Sequence, residues 1–543
     1  MIPLLALSIV EAVLLRRTVF LNVPFWTAAL GSATVNLFLF VIYKLFIWPF
    51  FLDPLRHLPR APGHFHTVRF IFDNPRGRQS LEWIKTVPND GLIYSRDLLN
   101  QPQLLVTNHQ ALLDIMSTNT YDFEKPWRAR EFLARIIGFG LILTEGAVHK
   151  KQRRALTPSF HMKNIRALYT LMWDKTGQLL ETLDEEIRLH PMEGTGAESG
   201  WGKVEMSVWA SRLTLDIIGP AAMGRDFRTI QNNENKVADS FMAILEPTKE
   251  KMLFLAVNFI LPQWFAKRLP WRLNKVIEDE VGYLRSVCKE IVHEKRIVMT
   301  ATKATATELE ADILGSMMLG GDFTDDELVD QMLTFLAAGH ETTASALTWT
   351  CYLLTLHPDV QERLRAEIRA AIPSAKHPVT SSDLESLPIL NGVCQEVLRL
   401  YPTVPTTIRE AVRDSTLAGK HIPKGTKIIL APYAINRSPE FWVDGNEFRP
   451  ERWIDTDPKT GEQSVNHTGG ASTNFAQITF LHGQRSCIGK DFARAELRCA
   501  VAGVVGRFAF EMQDPNQEIH IAGAVTTKPV EGMHLKMRRV EGW

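Results

Sequence analysis

Thr324-Asp325-Asp326-Glu327 reads as a capping box, with acids where a helix N-terminus favours them. Helical spacing of apolar residues then runs to Leu356 and stops at His357-Pro358, because the residue before a proline is driven out of the helical region. Residues 324–356 are 33 positions, about 50 Å of helix at 1.5 Å per residue. A helix of that length, carrying Leu333, Phe335, Leu336 and Leu347, must cross the middle of a protein body. Helical periodicity also dominates the rest of 120–400, and short strand-like runs such as Lys427-Ile428-Ile429-Leu430 follow it. The expected fold class is mainly α with a minor β portion, in one body over 64–543. The Gly-rich stretch 193–202 and the Thr- and Ala-rich stretch 300–307 read as surface connections.

Composition removes several classes. Of 543 residues, 45% are hydrophobic and 22% charged, so disorder is excluded. The 61 basic and 61 acidic side chains cancel, which leaves no global footprint for nucleic acid. Five cysteines, an odd number with no Cys-x-x-Cys pair, exclude a disulfide scaffold and a zinc finger and suit a reducing compartment.

Between Arg17 and Lys44 lie 26 residues without a formal charge, and about 20 apolar residues suffice to span a bilayer. A shorter apolar stretch, Met1 to Leu15, is interrupted by Glu11. Residues 1–50 therefore read as a membrane anchor, of one span or a hairpin of two. A cleaved signal fits less well, because no small-residue cleavage site follows. Lys44, Arg56 and Arg60 put the following side in the cytosol, although Arg16 and Arg17 on the other flank oppose this. Pro54, Pro59 and Pro62 make 51–63 a stiff hinge. A further apolar run, Met252 to Leu261, reads as a buried helix in preference to a segment dipping into the bilayer.

Two constellations carry chemistry. Inside the long helix stands Ala338-Gly339-His340-Glu341-Thr342-Thr343. Glycine there costs roughly 1 kcal/mol relative to alanine, and threonines can bond back to the preceding turn. The segment is either a tolerated defect or a groove for a ligand, with Glu341 and Thr342 placed to pass protons. The second is Phe480-Leu481-His482-Gly483-Gln484-Arg485-Ser486-Cys487-Ile488-Gly489 ahead of a helical run. Two glycines permit a tight loop, and the helix N-terminus and Arg485 favour a thiolate at Cys487.

Phe-x-x-Gly-x-Arg-x-Cys-x-Gly resembles the cysteine-ligand loop of the cytochrome P450 superfamily, the haem-thiolate monooxygenases. Ala-Gly-x-Glu-Thr-Thr resembles that family's oxygen-activation motif. Glu396-Val397-Leu398-Arg399 resembles its structural Glu-x-x-Arg, and Phe448-Arg449-Pro450-Glu451-Arg452-Trp453 resembles the partner segment, with Arg452 completing the ion-pair network. The four elements fall in family order, and the resemblance covers roughly residues 50–540.

That resemblance implies the cytochrome P450 fold, haem b (iron protoporphyrin IX) and Cys487 as axial ligand, with Phe480, Gly483, Gly489 and Ala338 lining the cofactor. It implies propionate partners at Arg485, Arg409 and Arg153. The family usually has Trp-x-x-x-Arg before the last of these; this chain has His149 in place of the Trp, and an imidazole can still donate to a carboxylate. Glu341 and Thr342 become the proton relay. Ala338, Val404, Thr407 and Ile408 become substrate-facing residues. The implied reaction inserts one oxygen atom of O2 into a lipophilic small molecule, in the style of fungal secondary metabolism. Electrons would come from NADPH through a flavoprotein reductase at the endoplasmic reticulum membrane, because no flavin or nicotinamide motif accompanies the haem segment. Lys150, Lys151 and Arg154, with Lys490, Arg494 and Arg498, form a candidate docking patch. The alternatives are a rearranging or dehydrating enzyme of the same fold that needs no external electrons, and a non-catalytic haem binder. The insert Asp455 to Asn474 is unassigned, and its Asn466-His467-Thr468 sequon would stay unmodified in the cytosol.

Overall fold

The capping box at Thr324 closes in both directions. Thr324 Oγ1 accepts the Glu327 N–H at 3.3 Å, and the Glu327 carboxylate accepts the Thr324 N–H at 2.8 Å. The helix then spans Asp325–Leu356, 32 residues, and most of its side chains from Leu328 to Leu354 are buried. The helices Met206–Met223, Arg272–Ala301, Pro388–Leu400 and Lys490–Arg507 pack around it. Each fully buried leucine contributes about 1.5–3 kcal/mol, so Leu333, Leu336 and Leu347 make this contact a principal support of the body.

This computed structural model describes residues 2–18, 24–63, 75–97, 100–192, 200–232, 234–246, 248–301, 312–523 and 525–543. Most of the two expected surface connections, at 193–199 and 302–307, lies outside the described residues.

Gly339 has a packing reason. A Cβ there would stand 2.8 Å from Ile218 Cδ1 of the Met206–Met223 helix. The glycine lets two core helices close together, so it does not itself open the groove that the sequence offered as one reading.

Five strands form the larger sheet, in the order Leu92–Arg96, Pro102–Val106, Lys427–Leu430, Thr407–Ala411, Phe123–Glu124. Only the Pro102–Val106 and Lys427–Leu430 pair is parallel. Ile408 stands opposite Ile429 and Arg409 opposite Ile428. Side chains alternate along a strand, so Thr407 and Arg409 share one face and Ile408 takes the other. A second sheet joins Phe508–Met512, His534–Arg539 and Trp201–Glu205. The 455–474 insert starts in a short hairpin, Ile454–Thr456 against Gln463–Val465.

Among the described residues one helix is long and apolar enough to cross a membrane: Phe25–Leu52, 28 residues. The Pro-rich segment after it lies against the body. Ala61 N–H donates to the Tyr94 carbonyl at 2.8 Å and Tyr94 N–H to the Pro59 carbonyl at 2.7 Å. Asp53 accepts from the Tyr94 hydroxyl and pairs with Arg96 at 3.6 Å, and Leu55 and Leu58 are buried. The Met252–Leu261 run falls mostly in the helix Lys249–Ile260, with Phe254 and Leu255 buried but Leu253 and Phe259 exposed.

Glu396 and Arg399 meet in the interior with no exposed side-chain surface. Arg399 donates to both carboxylate oxygens at 2.8 and 2.7 Å and reaches the carbonyls of Asn436, Gly445 and Glu447. Trp453 Nε1 and Arg452 Nε add donors to Glu396 at 2.9 and 3.3 Å. Removing one partner of a buried pair strands the other charge without water. Arg399→Leu is therefore expected to cost about 3–5 kcal/mol, read as a lowered urea midpoint. Arg452→Leu is expected to cost less, because Arg399 still neutralises the carboxylate. Equal losses in the two variants would refute this ordering.

Candidate active site

The loop carrying Cys487 is shaped by its glycines. Gly483 has φ +66°, and a Cβ there would run into the Met116 carbonyl. Cys487 N–H donates to the Phe480 carbonyl at 2.8 Å, which closes the turn. Gly489 caps the helix Lys490–Arg507 and aims its backbone N–H at the thiol. Burial pushes the Cys487 thiol up, while the Gly489 N–H and Arg153 pull it down. Although the sulfur is deep, Cys487 keeps accessible surface, and that surface faces a cavity of about 430 Å³. Arg153, Phe480, Gly483 and Ser486 share its wall.

His149 and Arg153 lie one turn apart on the helix Gly146–Leu156. Arg153 donates to the Ser486 carbonyl at 2.6 Å, which ties that helix to the cysteine loop. His149 Nδ1 lies 3.1 Å from the Tyr121 hydroxyl. Burial, then Arg485, Lys125 and Arg153, push the imidazole down to about 3, so it is neutral at physiological pH. Arg485 donates to the Thr144 carbonyl at 2.9 Å and pairs with Glu145, and its Nε has no partner. Arg409 is buried and donates to Thr407 Oγ1 and the Ile408 carbonyl, both at 2.9 Å; burial pushes it down to about 10. Burial, then the repulsion of Arg409, lower Lys125 to about 7 against the pull of Glu145.

Lys125, Arg409 and Arg485 thus gather near the Glu145 carboxylate, and Arg153 joins Arg485 and Lys125 around His149. Glu124 acts weakly on Arg485 and is itself paired with Arg130 at 3.4 Å. So large an excess of desolvated positive charge is costly unless an anion shares the space. In reach of a thiol that keeps accessible surface, it fits a metal-bearing cofactor that carries carboxylates, such as haem with its propionates.

On the central helix Thr342 Oγ1 donates back to the Ala338 carbonyl at 2.8 Å. Glu341 is buried, with Lys528 Nζ and Thr526 Oγ1 each 2.9 Å from Oε1. Its other oxygen has no hydrogen-bond partner, and His340 Nε2 stands 3.6 Å away. Ala338, Val404, Thr407 and Ile408 all keep some accessible surface, whereas Thr403, Pro405 and Arg409 beside them are buried. The candidate docking patch divides. Lys150, Lys151 and Arg154 are exposed and Lys490 is half-buried, 3.9 Å from Asp491, but Arg494 lies over the Phe480 ring and Arg498 bonds to Asn391 at 2.6 Å.

Residues 78–535 match the cytochrome P450 family. Cytochrome P450 monooxygenase sphH of Aspergillus fumigatus is 38% identical over 517 residues, covering 93% of this chain and 92% of its own. Monooxygenase ALT8 of Alternaria alternata is 36% identical, covering 93% of each chain, and FUM15 of Gibberella moniliformis 36%, covering 92% and 91%. The crystal structure of the cytochrome P450DA haem domain has the same fold, with a TM-score of 0.71 at 22% identity over 89% of this chain and 97% of that one. These likenesses define a haem-dependent monooxygenase. The chain belongs to the cytochrome P450 family.

Sequence reasoning missed Lys125, Glu145, Tyr121 and Lys528. Lys125 and Glu145 carry no motif signal beyond a lone charge. Lys528 meets Glu341 from a hairpin, Ile521–Ala522 with Lys528–Pro529, that sequence spacing does not pair with the helix. Glu496 was missed as well: it is fully buried on the cysteine helix, and among the described residues neither oxygen has a partner within hydrogen-bond geometry, although the nearby Thr343 hydroxyl acts on it.

Two expectations follow from these positions. Gly483→Ala adds a Cβ against the Met116 carbonyl at a positive φ, which by itself costs about 1–2 kcal/mol. Displacement of the loop should lower haem per chain in purified protein by at least half. Burial pushes Glu496 well above the usual carboxylate range, and the Thr343 hydroxyl opposes this only in part. The folded protein then holds a proton that the unfolded chain releases above the ordinary carboxyl pKa. Stability from this group therefore falls as pH rises past that point. Glu496→Gln lacks the proton, so its advantage over the native protein should widen with pH in urea titrations. A constant difference from pH 5 to pH 8 would contradict the assignment.

Proposed function

We propose that Cys487 would supply a thiolate ligand to a haem iron and that Arg153, Arg409 and Arg485, with His149 and Lys125, would hold the propionates. The observation that carries this is the cysteine, which keeps accessible surface, in a loop whose Leu481, His482 and Arg485 line a small cavity with the buried Arg409. When bound, the haem supplies activation of O2, an electron-rich thiolate being the ligand that favours O–O cleavage. Glu341 receives protons through Lys528 and Thr526, of which Lys528 keeps 22% of its side chain exposed. The Thr342 hydroxyl, donating to the Ala338 carbonyl, keeps its oxygen free to accept from and orient a proton-carrying water beside Glu341. Ala338, Val404 and Thr407 shape the site for a lipophilic substrate, Ile408 lying on the opposite face of the strand that carries Thr407.

Electrons come from NADPH through a flavoprotein reductase, docked on the exposed Lys150, Lys151 and Arg154 and the half-buried Lys490. The Phe25–Leu52 helix anchors the enzyme in the endoplasmic reticulum membrane with its body in the cytosol, supported by Lys44, Arg56 and Arg60 on the body side. The fungal relatives favour a fungal enzyme of secondary metabolism.

The first test is the spectrum of the reduced, carbon-monoxide-bound protein. A strongly red-shifted Soret band is expected and should vanish in Cys487→Ala. Thr342→Ala should keep that band and still consume NADPH with reductase present, but form product roughly 10-fold or more slowly. Unchanged coupling of NADPH use to product in that variant would remove Thr342 from the relay.

A further inference from the structure

The two N-terminal helices are packed inside out. Ile2–Thr18 and Phe25–Ile42 lie against each other, and the residues they bury are small or polar: Ser8, Ala12, Ser32 and Asn36. Ser8 and Ala12 are four apart, as are Ser32 and Asn36, so each pair occupies one helix face. The large apolar side chains point the other way. Leu7, Ile9, Val10 and Leu14 on the first helix and Trp26, Leu30, Val35 and Phe38 on the second are all about half exposed or more. Between the helices, Asn36 Nδ2 donates to Ser8 Oγ at 3.1 Å and to Glu11 Oε2 at 2.6 Å.

Water would reject this arrangement, since it leaves apolar surface wet and hides the polar groups. Hydrocarbon reverses the preference. Helix pairs in lipid meet through small residues and are joined by Ser, Asn and Gln side chains, and an ionisable residue at membrane depth turns inward to a partner. Asn36 follows Phe25 by 11 residues, about 17 Å at 1.5 Å per residue. That is close to the mid-plane of a hydrocarbon core about 30 Å thick. Glu11, which interrupts the first apolar stretch in the sequence, is thereby supplied with its hydrogen-bond donor. The first helix has 17 residues, the lower end of what spans a bilayer.

We infer that the helices Ile2–Thr18 and Phe25–Leu52 are the two spans of a transmembrane hairpin clasped at mid-bilayer by Asn36, Ser8 and Glu11, with lipid against its outer face, so that residue 1 lies on the same side as the catalytic body. This rests on the membrane-anchoring reading and goes beyond it, since the longer helix alone would leave residue 1 on the opposite side. Three cations at the body end, Lys44, Arg56 and Arg60, outnumber Arg16 and Arg17 at the connection, which sets the body end in the cytosol.

The test uses the full chain in sealed microsomes, with an epitope ahead of Met1, and separately Leu21→Cys probed by a membrane-impermeant maleimide against the unsubstituted chain. The hairpin predicts that protease removes the epitope from intact vesicles, and that the introduced thiol labels only after detergent. An epitope protected until detergent is added would establish a single span and overturn the inference. Labelling of the introduced thiol in intact vesicles would show that the hairpin does not cross, and would overturn it too. Release of the chain by alkaline carbonate would mean that protein and not lipid covers the outer face, and the anchoring reading itself would fall.

Discussion

A carboxylate held away from water can stay ionised only if donors surround it, and Glu396 is surrounded by Arg399, Arg452, Trp453 and the Arg449 backbone N–H. Those donors come from two different segments, so satisfying one charge joins them. Arg399 continues the chain of contacts: its guanidinium holds the Asn436 carbonyl, and its own carbonyl accepts from Asn436 Nδ2. Asn436 Oδ1 accepts the Ile478 N–H at 2.9 Å, and Thr479 Oγ1 donates to the Leu398 carbonyl at 2.7 Å. Residues 478 and 479 lead directly into the cysteine loop. The position of Cys487 is thus referred back, through a few short bonds, to an ion pair on the Pro388–Leu400 helix.

The cation cluster on the other side of that loop has the opposite character. It is under-neutralised within the protein, with Arg485 Nε unpartnered and Lys125 and Arg409 both lowered by burial. One network stabilises the scaffold by being complete; the other carries more positive charge than the protein around it neutralises, as the proposed propionate site requires. The same contrast holds on the central helix, where one oxygen of Glu341 is engaged by Lys528 and Thr526 and the other is not.

What could be read in the sequence was whatever a short segment decides by itself. The capping box and the proline stop bounded the long helix because both act within one turn. The Cys487 loop was legible because its glycines, arginine and cysteine fall within ten residues. Contacts between distant segments were not legible: Arg485 meets Thr144 across 341 positions, and nothing local marks Glu145 as its partner. For the same reason Gly339 was weighed as a ligand groove, when Ile218 of another helix explains it, and Arg494 and Arg498 were counted as surface charges although they turn inward. Periodicity told which residues are apolar, but the N-terminal helices needed coordinates to reveal which face each one hides.

The segment after the Phe25–Leu52 helix was expected to act as a stiff hinge. Its prolines do stiffen it, yet Asp53, Leu55, Leu58 and Ala61 fasten it to the strand Leu92–Arg96. A bracket bolted at both ends transmits angle, where a tether transmits only distance. On the proposed anchoring, the heading of the body over the lipid plane would be an inherited property of the helix below it, and lengthening this short strap would alter which way the molecule faces as well as how far it reaches.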